Sequence, residues 1–146
     1  MPDKIRVLFV CTTNAAASQM AEVILTSLAS DRFEAFSAGL TPVPVHPMAA
    51  EVLRHLSVDM SGMQSKPFSA FEGEAFDWII TIGNAAADWP SIDGTLRLHW
   101  DIADPLLVGG HVEDIIEAFM VARNDLYRHI RSFITAVGRQ ETKERA

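Results

Sequence analysis

The chain opens with a short apolar run, followed by a loop and then by an apolar stripe at helical spacing. Residues 5–10, Ile-Arg-Val-Leu-Phe-Val, form a nearly continuous apolar and β-branched run, which is typical of a strand covered on both faces. After residues 11–17, apolar side chains recur at helical spacing as far as Leu28, with Ser18 as a candidate N-cap and Glu22 in the first turn. The pattern predicts a strand, a tight loop and a helix.

The alternation of strand-like and helix-like segments continues along the chain. Further strands are predicted at residues 33–38 (ending at Gly39), 76–82 and 96–100, and further helices at residues 48–56 and 112–137. Strands that alternate with helices favour right-handed crossovers, which place the strands in one parallel sheet. The predicted class is therefore α/β, and ligands are expected beyond the carboxyl ends of the strands.

Length and composition fit one folded domain. The chain has 146 residues, of which 49% are hydrophobic and 21% charged, with no apolar run long enough to cross a bilayer and no signal-peptide pattern. We expect a single domain over residues 1–138, a frayed tail at residues 139–146, and a cytoplasmic location without membrane contact. The net charge is −7 and basic residues cluster only in the mixed-charge tail, which argues against nucleic acid as a partner.

Cys11 is the only cysteine and is predicted to lie where the first strand ends, before the loop and helix. Backbone N–H groups and the helix dipole converge at such a point, so it suits an oxyanion and favours a nucleophilic thiolate. Alternatively, Cys11 is one more small buried apolar side chain. Asn14 tolerates unusual backbone angles and can hold the loop through its amide. The candidate oxyanion-binding residues are Thr12, Thr13, Asn14, Ala15, Ala16, Ala17 and Ser18.

Several short motifs follow one another in the order found in a known family. They are Val7-Leu8-Phe9-Val10-Cys11, Ser18-Gln19-Met20-Ala21-Glu22, Phe36-Ser37-Ala38-Gly39, Val45-His46-Pro47, Ser65-Lys66-Pro67, His99-Trp100 and Asp104-Pro105. With them the chain resembles, over essentially its full length, the low-molecular-weight protein tyrosine phosphatases and the related thioredoxin-coupled arsenate reductases. His99-Trp100, and Leu106 after the aspartate–proline pair, are more similar to the reductases.

The resemblance implies a three-layer α/β/α fold with a four-stranded parallel sheet, of the phosphotyrosine protein phosphatase I type. It implies that the loop binds a phosphate-, sulfate- or arsenate-type oxyanion, that Cys11 attacks the oxyanion, and that Asp104 is the general acid. An aspartate before Pro105 is also common in a plain turn, which is the alternative for Asp104.

Family reductases hold a monovalent cation near the loop, and Asn14, Glu22 and Ser37 match the residues that hold it. No other cofactor is expected to be required. His46 and His99 are expected to be structural, because each lies in a motif that turns or closes a strand and neither is beside the cysteine in sequence.

The chain departs from the family pattern at two places. The family loop reads Cys, five residues, Arg, Ser, and Ala17 occupies the arginine position. A guanidinium binds two oxygens of the oxyanion at once, and a comparable arginine contributes roughly 10³ to 10⁵ in rate. The arsenate reductases also relay oxidation to two further cysteines, which this chain lacks, with Gly83 and Trp89 near their positions. A reductase of this kind would need an external thiol such as glutathione.

Three interpretations of Ala17 follow. In the one we prefer, the protein keeps an oxyanion-binding loop at Cys11 while catalysis is impaired. In the second, it is an active thiol-dependent arsenate reductase or phosphatase that uses Cys11 and Asp104, with another arginine replacing the missing one. In the third, Ala17 is an engineered or neutral replacement without functional meaning. The candidate replacements for the arginine are Arg6, Arg32, Arg54 and Arg97.

Overall fold

The computed structural model describes residues 3–83 and 95–145, with side chains as far as residue 139. In these residues, strands and α-helices follow one another in the predicted order. They are β1 (Ile5–Cys11), α1 (Ala17–Ala29), β2 (Phe33–Gly39), α2 (Pro47–Glu51), β3 (Trp78–Ile82), β4 (Leu96–Trp100) and α3 (Val112–Arg145). Short 3₁₀ helices lie at Phe68–Phe71 and Pro105–Leu107.

The four strands form one parallel sheet in the order β2-β1-β3-β4. β1 is an inner strand, and its residues Val7, Leu8, Phe9 and Val10 are completely buried. Burial on both faces explains why the run is apolar without alternation. Cys11 is the last residue of β1 and pairs with Gly39, the last residue of β2. The thiol therefore lies at the carboxyl edge of the sheet, as predicted.

Two apolar cores lie on opposite faces of the sheet. The larger core joins Val7 and Phe9 to the buried sides of α1, α2 and α3. The smaller core joins Leu8 and Val10 to the 3₁₀ helix Phe68–Phe71 and to a group of phenylalanines whose ring centroids lie 5.5–5.7 Å apart. The predicted four-stranded parallel α/β fold is confirmed. In the described residues, the layer over the smaller core is a 3₁₀ helix rather than an α-helix.

Helix α2 is shorter than predicted, since it ends at Glu51 instead of residue 56. Beyond it, hydrogen bonds that span three residues, such as Leu53 N to Ala50 O and Leu56 N to Leu53 O, continue the chain in tight turns. Such turns bring apolar residues to one side at nearly the same spacing as an α-helix. The hydrophobic pattern alone therefore overestimated the length of this helix.

Helix α3 is longer than predicted, since it passes Gly138 and continues to Arg145. A single glycine costs an α-helix about 1 kcal/mol, which is too little to end a long one. The backbone of residues 139–145 is thus helical. The predicted fraying of this tail is a statement about its motion and stays a prediction. Among residues 3–83 and 95–145, no helix is both long enough and apolar enough to cross a bilayer.

Gly39 allows the end of β2 to contact the loop that follows β1. A Cβ atom at this position would lie 2.8 Å from the backbone nitrogen of Asn14 and 2.9 Å from the carbonyl carbon of Thr13. The Gly39 N–H group also donates to the carbonyl of Lys66 at 2.8 Å. Any side chain here must displace backbone on one side or the other.

Replacing Gly39 with alanine should displace the loop and lower the free energy of unfolding by about 1–3 kcal/mol, the usual cost of overpacking a close contact. The matched control is Gly62→Ala, because a Cβ at Gly62 meets nothing within 4 Å. Urea denaturation measures both variants, and the control should stay within about 0.5 kcal/mol of the natural protein. Equal stability of the two variants would show that the close approach is not a constraint.

Candidate active site

The backbone carbonyls of the loop are turned away from the thiol, toward the segment that follows β2. Four hydrogen bonds hold them there, from Leu40 N to Cys11 O (3.2 Å), Thr41 N to Thr12 O (2.7 Å), Val43 N to Thr13 O (3.1 Å) and His46 N to Ala15 O (2.9 Å). With these carbonyls facing outward, the inner side of the loop is left to N–H groups. The amide of Asn14 shows this directly, because it donates to Cys11 Sγ at 3.2 Å.

Asn14 is fully buried and adopts a φ of 50°, in the left-handed region that asparagine enters more easily than most residues. Its Nδ2 donates to Ser18 Oγ at 2.8 Å, and its Oδ1 accepts from the backbone N–H of Lys66 at 2.9 Å. The predicted role of this residue, to hold the loop through its amide, agrees with these contacts.

Ser18 does not cap helix α1, because Ala16 occupies the N-cap position and Ser18 lies inside the helix. Its hydroxyl lies 2.8 Å from Cys11 Sγ instead, and both residues are buried. Since the Ser18 oxygen already accepts from Asn14, its proton is available to the sulfur. The sulfur thus has two donors directed at it, the Asn14 amide and the Ser18 hydroxyl.

The predicted position of Glu22 also changes, because α1 begins at Ala17 and its first turn holds no acidic residue. Glu22 lies one turn further on, where its Oε1 accepts from Ser37 Oγ at 3.0 Å. Burial has the largest effect on this carboxyl and raises its pKa above the usual value. The Lys66 ammonium and the hydrogen bonds from Ser37 lower the pKa of Glu22 in part.

Residues 64–67 support the loop from its outer side. Ser65 Oγ donates to Thr13 O at 3.1 Å, next to the bond between Lys66 N and Asn14 Oδ1. Gln19 Nε2 donates to Gln64 O at 2.8 Å and to Asn14 Oδ1 at 2.9 Å, which ties α1 to the same segment. This role of Gln19 was not predicted from the sequence. The sequence feature that could have indicated this role is a polar residue among the apolar positions at the start of the helix.

A cavity of about 690 Å³ opens above the sulfur, between the loop and the segment that follows β4. Cys11, Thr12, Thr13 and Ala17 line one side of it, and Asp104 lies on the other side. The remaining lining residues are Ile82, Gly83, Asp101, Ile102, Ala103, Leu106, Leu107 and Val108. The structure thus brings the predicted nucleophile and the predicted general acid to one cavity. Asn14, Ala15, Ala16 and Ser18 are not among its described lining residues.

Asp104 also has the turn role that was the alternative for it. Its Oδ1 accepts from the backbone N–H of Leu106 at 2.9 Å and caps the 3₁₀ helix Pro105–Leu107. This bond fixes the direction of the carboxyl group relative to the cavity. The two interpretations of Asp104 are therefore compatible, since the cap uses only one of the two carboxyl oxygens.

No lysine, arginine or histidine is among the described residues that line the cavity, whereas Asp101 and Asp104 are. Arg6 pairs with Glu34 and Glu74 at the amino end of the sheet. Arg54 pairs with Glu51, and neither Arg32 nor Arg97 reaches the lining. The structure does not describe residues 84–94, which include most of the region of the two missing cysteines. The sequence of this segment contains no basic residue.

The three residues matched to a monovalent cation already make hydrogen bonds through their side chains. Asn14 Oδ1 already accepts from Lys66 N and Gln19 Nε2, and Ser37 Oγ donates to Glu22. The buried side-chain oxygen that lacks a partner within the described chain, Gln19 Oε1, belongs to none of the three. The same described residues contain no cluster of three acidic, histidine or cysteine side chains that could hold a metal ion.

Both histidines of the family motifs have structural partners. His46 Nδ1 accepts from Met48 N at 3.1 Å and caps α2, with its ring centroid 4.8 Å from that of Phe119. His99 Nδ1 lies 2.8 Å from Thr81 Oγ1 on the neighbouring strand. Neither histidine lines the cavity above Cys11.

Comparison with known proteins agrees with this geometry. Residues 6–143 match the family model described as low molecular weight phosphotyrosine protein phosphatase. A glutaredoxin arsenate reductase of Synechocystis is 26% identical over 134 residues, which cover 90% of this chain and 98% of that protein. An arsenate reductase of Halalkalibacterium halodurans is 28% identical over 127 residues, which cover 86% of this chain and 91% of the relative.

A solved structure of an arsenate reductase in the phosphate binding state has the same fold. It superposes with a TM-score of 0.73 at 26% identity and covers 90% of this chain and 98% of the other. The family match extends over almost the whole chain and includes the loop, the 3₁₀ helix after Asp104 and all four strands. The chain therefore belongs to the low molecular weight phosphotyrosine protein phosphatase family, among the members that resemble arsenate reductases.

Proposed function

We propose that this protein binds a tetrahedral oxyanion of the phosphate, sulfate or arsenate type above Cys11 and converts it only slowly. The observation that carries the proposal is the orientation of the loop, whose carbonyls bond outward while the Asn14 amide donates to the sulfur. Inward N–H groups at the start of a helix are a general anion-binding arrangement. A similar arsenate reductase has been solved in a phosphate binding state, which favours the same class of ligand here.

Slow conversion follows from the charges around the cavity. A bound oxyanion would meet backbone dipoles and Asp101 and Asp104, but no side-chain cation among the described lining residues. Arginine would neutralise the charge that grows on the equatorial oxygens in the transition state, and the methyl group of Ala17 cannot do so. Loss of such a group lowers the rate by roughly 10³ to 10⁵ while leaving the backbone donors in place.

The chemistry that remains is nucleophilic attack by Cys11. With a phosphate ester, Sγ bonds to phosphorus as the bond to the leaving oxygen breaks, and the Asp104 carboxyl gives its proton to that oxygen. Water then attacks phosphorus, the sulfur–phosphorus bond breaks, and phosphate and the free thiol are released. With arsenate, Sγ bonds to arsenic as one arsenic–hydroxyl bond breaks, and the hydroxyl leaves as water with the proton of the Asp104 carboxyl, which gives a thiol adduct. A second thiol then attacks this sulfur, so that a disulfide forms and arsenic takes the electron pair and is reduced from the pentavalent to the trivalent state. The chain has one cysteine, so the second thiol must be external, such as glutathione.

A second candidate function is an active thiol-dependent arsenate reductase or phosphatase. It is favoured by the shared cavity of Cys11 and Asp104 and by the Ser18 hydroxyl 2.8 Å from the sulfur. Either function requires a reduced thiol. We therefore also propose a cytoplasmic location, where thiols stay reduced.

Turnover separates the two candidates. We expect the Ala17→Arg variant to hydrolyse p-nitrophenyl phosphate, or to reduce arsenate with glutathione, about 10³-fold or more faster than the natural chain, because the guanidinium enters the cavity that Ala17 lines. Cys11→Ser should abolish the activity of both backgrounds. If the natural chain turned over as fast as the Ala17→Arg variant, with full dependence on Cys11, catalysis would not be impaired.

Binding is tested without turnover. Phosphate, sulfate or arsenate should raise the melting temperature of the natural chain, by an amount equivalent to about 2.7 kcal/mol once the anion reaches one hundred times its Kd. Sodium chloride at equal ionic strength controls for screening. Ala17→Glu should remove the shift because it places a carboxylate in the cavity, and Ala17→Arg should enlarge it. A natural chain that responds to these anions no more than to chloride has no oxyanion site.

A further inference from the structure

A groove of about 700 Å³ lies between α3 and the segment formed by α2 and the turns that follow it. This α2–α3 groove shares no lining residue with the cavity above Cys11. Its lining is mostly apolar and includes Pro47, Met48, Val52, Ile116 and Met120. Small-molecule sites usually have volumes of roughly 300–1,000 Å³ and a mostly apolar lining with a few fixed polar groups. The groove therefore has the size and the lining of a site for one small ligand.

Arg123 is the fixed polar group of this groove. Its Nη1 donates to Val52 O at 3.0 Å, and its Nε donates to Asn124 Oδ1 at 3.2 Å. A guanidinium has five N–H hydrogens, so one hydrogen on Nη1 and two on Nη2 remain. One hydrogen from each of these two nitrogens can bind the two oxygens of a single carboxylate. Because two hydrogen bonds already orient the side chain, less entropy is lost when such a ligand binds.

The charges around the groove favour an anion. Arg123 forms no ion pair with a carboxylate of the described residues. Glu51, which also lines the groove, pairs with Arg54 at 3.1 Å. The other polar lining residue is His55, whose Nε2 lies 3.4 Å from the Tyr127 hydroxyl. A half-buried arginine beside apolar side chains, in a chain of net charge −7, complements a ligand that is both apolar and negatively charged.

We propose that the α2–α3 groove binds a small apolar carboxylate of the medium-chain alkanoate type, with its hydrocarbon chain on Met48 and Met120 and its carboxylate on Arg123. Methionine side chains are flexible and adapt to the shape of an apolar ligand. Burial of the hydrocarbon chain supplies affinity, and the charge-assisted pair with Arg123 fixes the direction of the ligand. This site is separate from the oxyanion loop and does not rest on the proposed function.

The test follows the methionine methyl groups of the full chain by NMR, after labelling with ¹³C-methyl methionine, while sodium octanoate is added. The signals of Met48 and Met120, assigned through Met48→Leu and Met120→Leu, should shift and saturate. The signal of Met20, which is completely buried and does not line the groove, should stay in place. Sodium chloride at equal ionic strength controls for salt. Shifts of equal size at all methionines, or none at Met48 and Met120, would overturn the proposal.

The role of the charge is tested with 1-octanol, which has the same chain length as octanoate but no charge. Octanoate should bind the natural chain about tenfold more tightly, since a hydrogen bond to a charged group contributes about this factor. In Arg123→Gln the two ligands should bind equally, with the affinity for 1-octanol unchanged. Equal affinities in the natural chain, or a tenfold preference retained in Arg123→Gln, would show that Arg123 does not recognise the ligand.

Two exposed positions of α3 test the location of the site. Met120→Glu places a carboxylate in the lining and should weaken octanoate binding by about tenfold or more. Val121→Glu is the matched control, because Val121 is 50% exposed against 41% for Met120 but does not line the groove. It should bind octanoate as the natural chain does, and equal affinities of the two variants would overturn the proposed location.

This pair of variants still decides if Arg123→Gln fails to fold after losing its bond to Val52 O. Cys11→Ser should bind octanoate as tightly as the natural chain, because Cys11 does not line the groove. Failure of oxyanion binding or turnover at Cys11 is therefore distinguishable from failure of the α2–α3 groove to bind octanoate.

Discussion

The left-handed turn at Asn14, with its φ of 50°, reverses the chain between β1 and α1. The position of the oxyanion loop around the Cys11 sulfur depends on this turn. The turn directs the Asn14 amide to Cys11 while the side chain reaches Ser18 and Lys66. Because the side chain is completely buried, each of its hydrogen bonds replaces one to water that would otherwise be lost. The hydrogen bonds that shape the loop, contact the thiol and join the loop to Lys66 thus form one network through Asn14.

This network explains how the fold can persist where Ala17 has replaced the family arginine. An arginine at that position would face the cavity, and none of the hydrogen bonds that shape the loop passes through the Ala17 side chain. The donors that orient the loop come from the backbone, from Asn14 and Ser18, and from residues 64–67. Shape and catalytic charge are therefore supplied by different residues. The catalytic charge can therefore be lost while the shape of the loop is kept.

Much of the fold could be predicted because its signals are local. The apolar run before Cys11 was sufficient to place a doubly covered strand, and alternation with helices was sufficient to make the sheet parallel. Ser18 was wrongly predicted as an N-cap, since serine before an apolar stripe is a typical cap and its contact with a sulfur seven residues earlier has no local signal. The ends of α2 and α3 were wrong because apolar spacing does not mark where hydrogen bonding changes.

The candidate site was predictable where residue chemistry at a strand end and the family motifs pointed to it. The position of Cys11 after a strand and the backbone tolerance of Asn14 drew attention to the loop, and the motifs added Asp104. The sequence could not show that Lys66 contacts Asn14, because 52 positions separate the two residues. The bond between Gln19 and Gln64 joins residues 45 positions apart. Contacts of this kind depend on the tertiary fold and leave no periodic trace in the sequence. The same holds for the requirement that position 39 carry no side chain.

The outward carbonyls of the loop have a consequence for the order in which the protein assembles. The N–H groups that bond to them lie in the segment after β2. The loop therefore reaches its final conformation only after β1 and β2 have paired and residues 40–46 have formed these hydrogen bonds. Closing these long chain segments is entropically expensive and comes late relative to formation of α1. An unfinished chain would therefore carry its cysteine exposed at the end of a strand. The thiol makes its hydrogen bonds to Asn14 and Ser18 only when the domain is nearly folded.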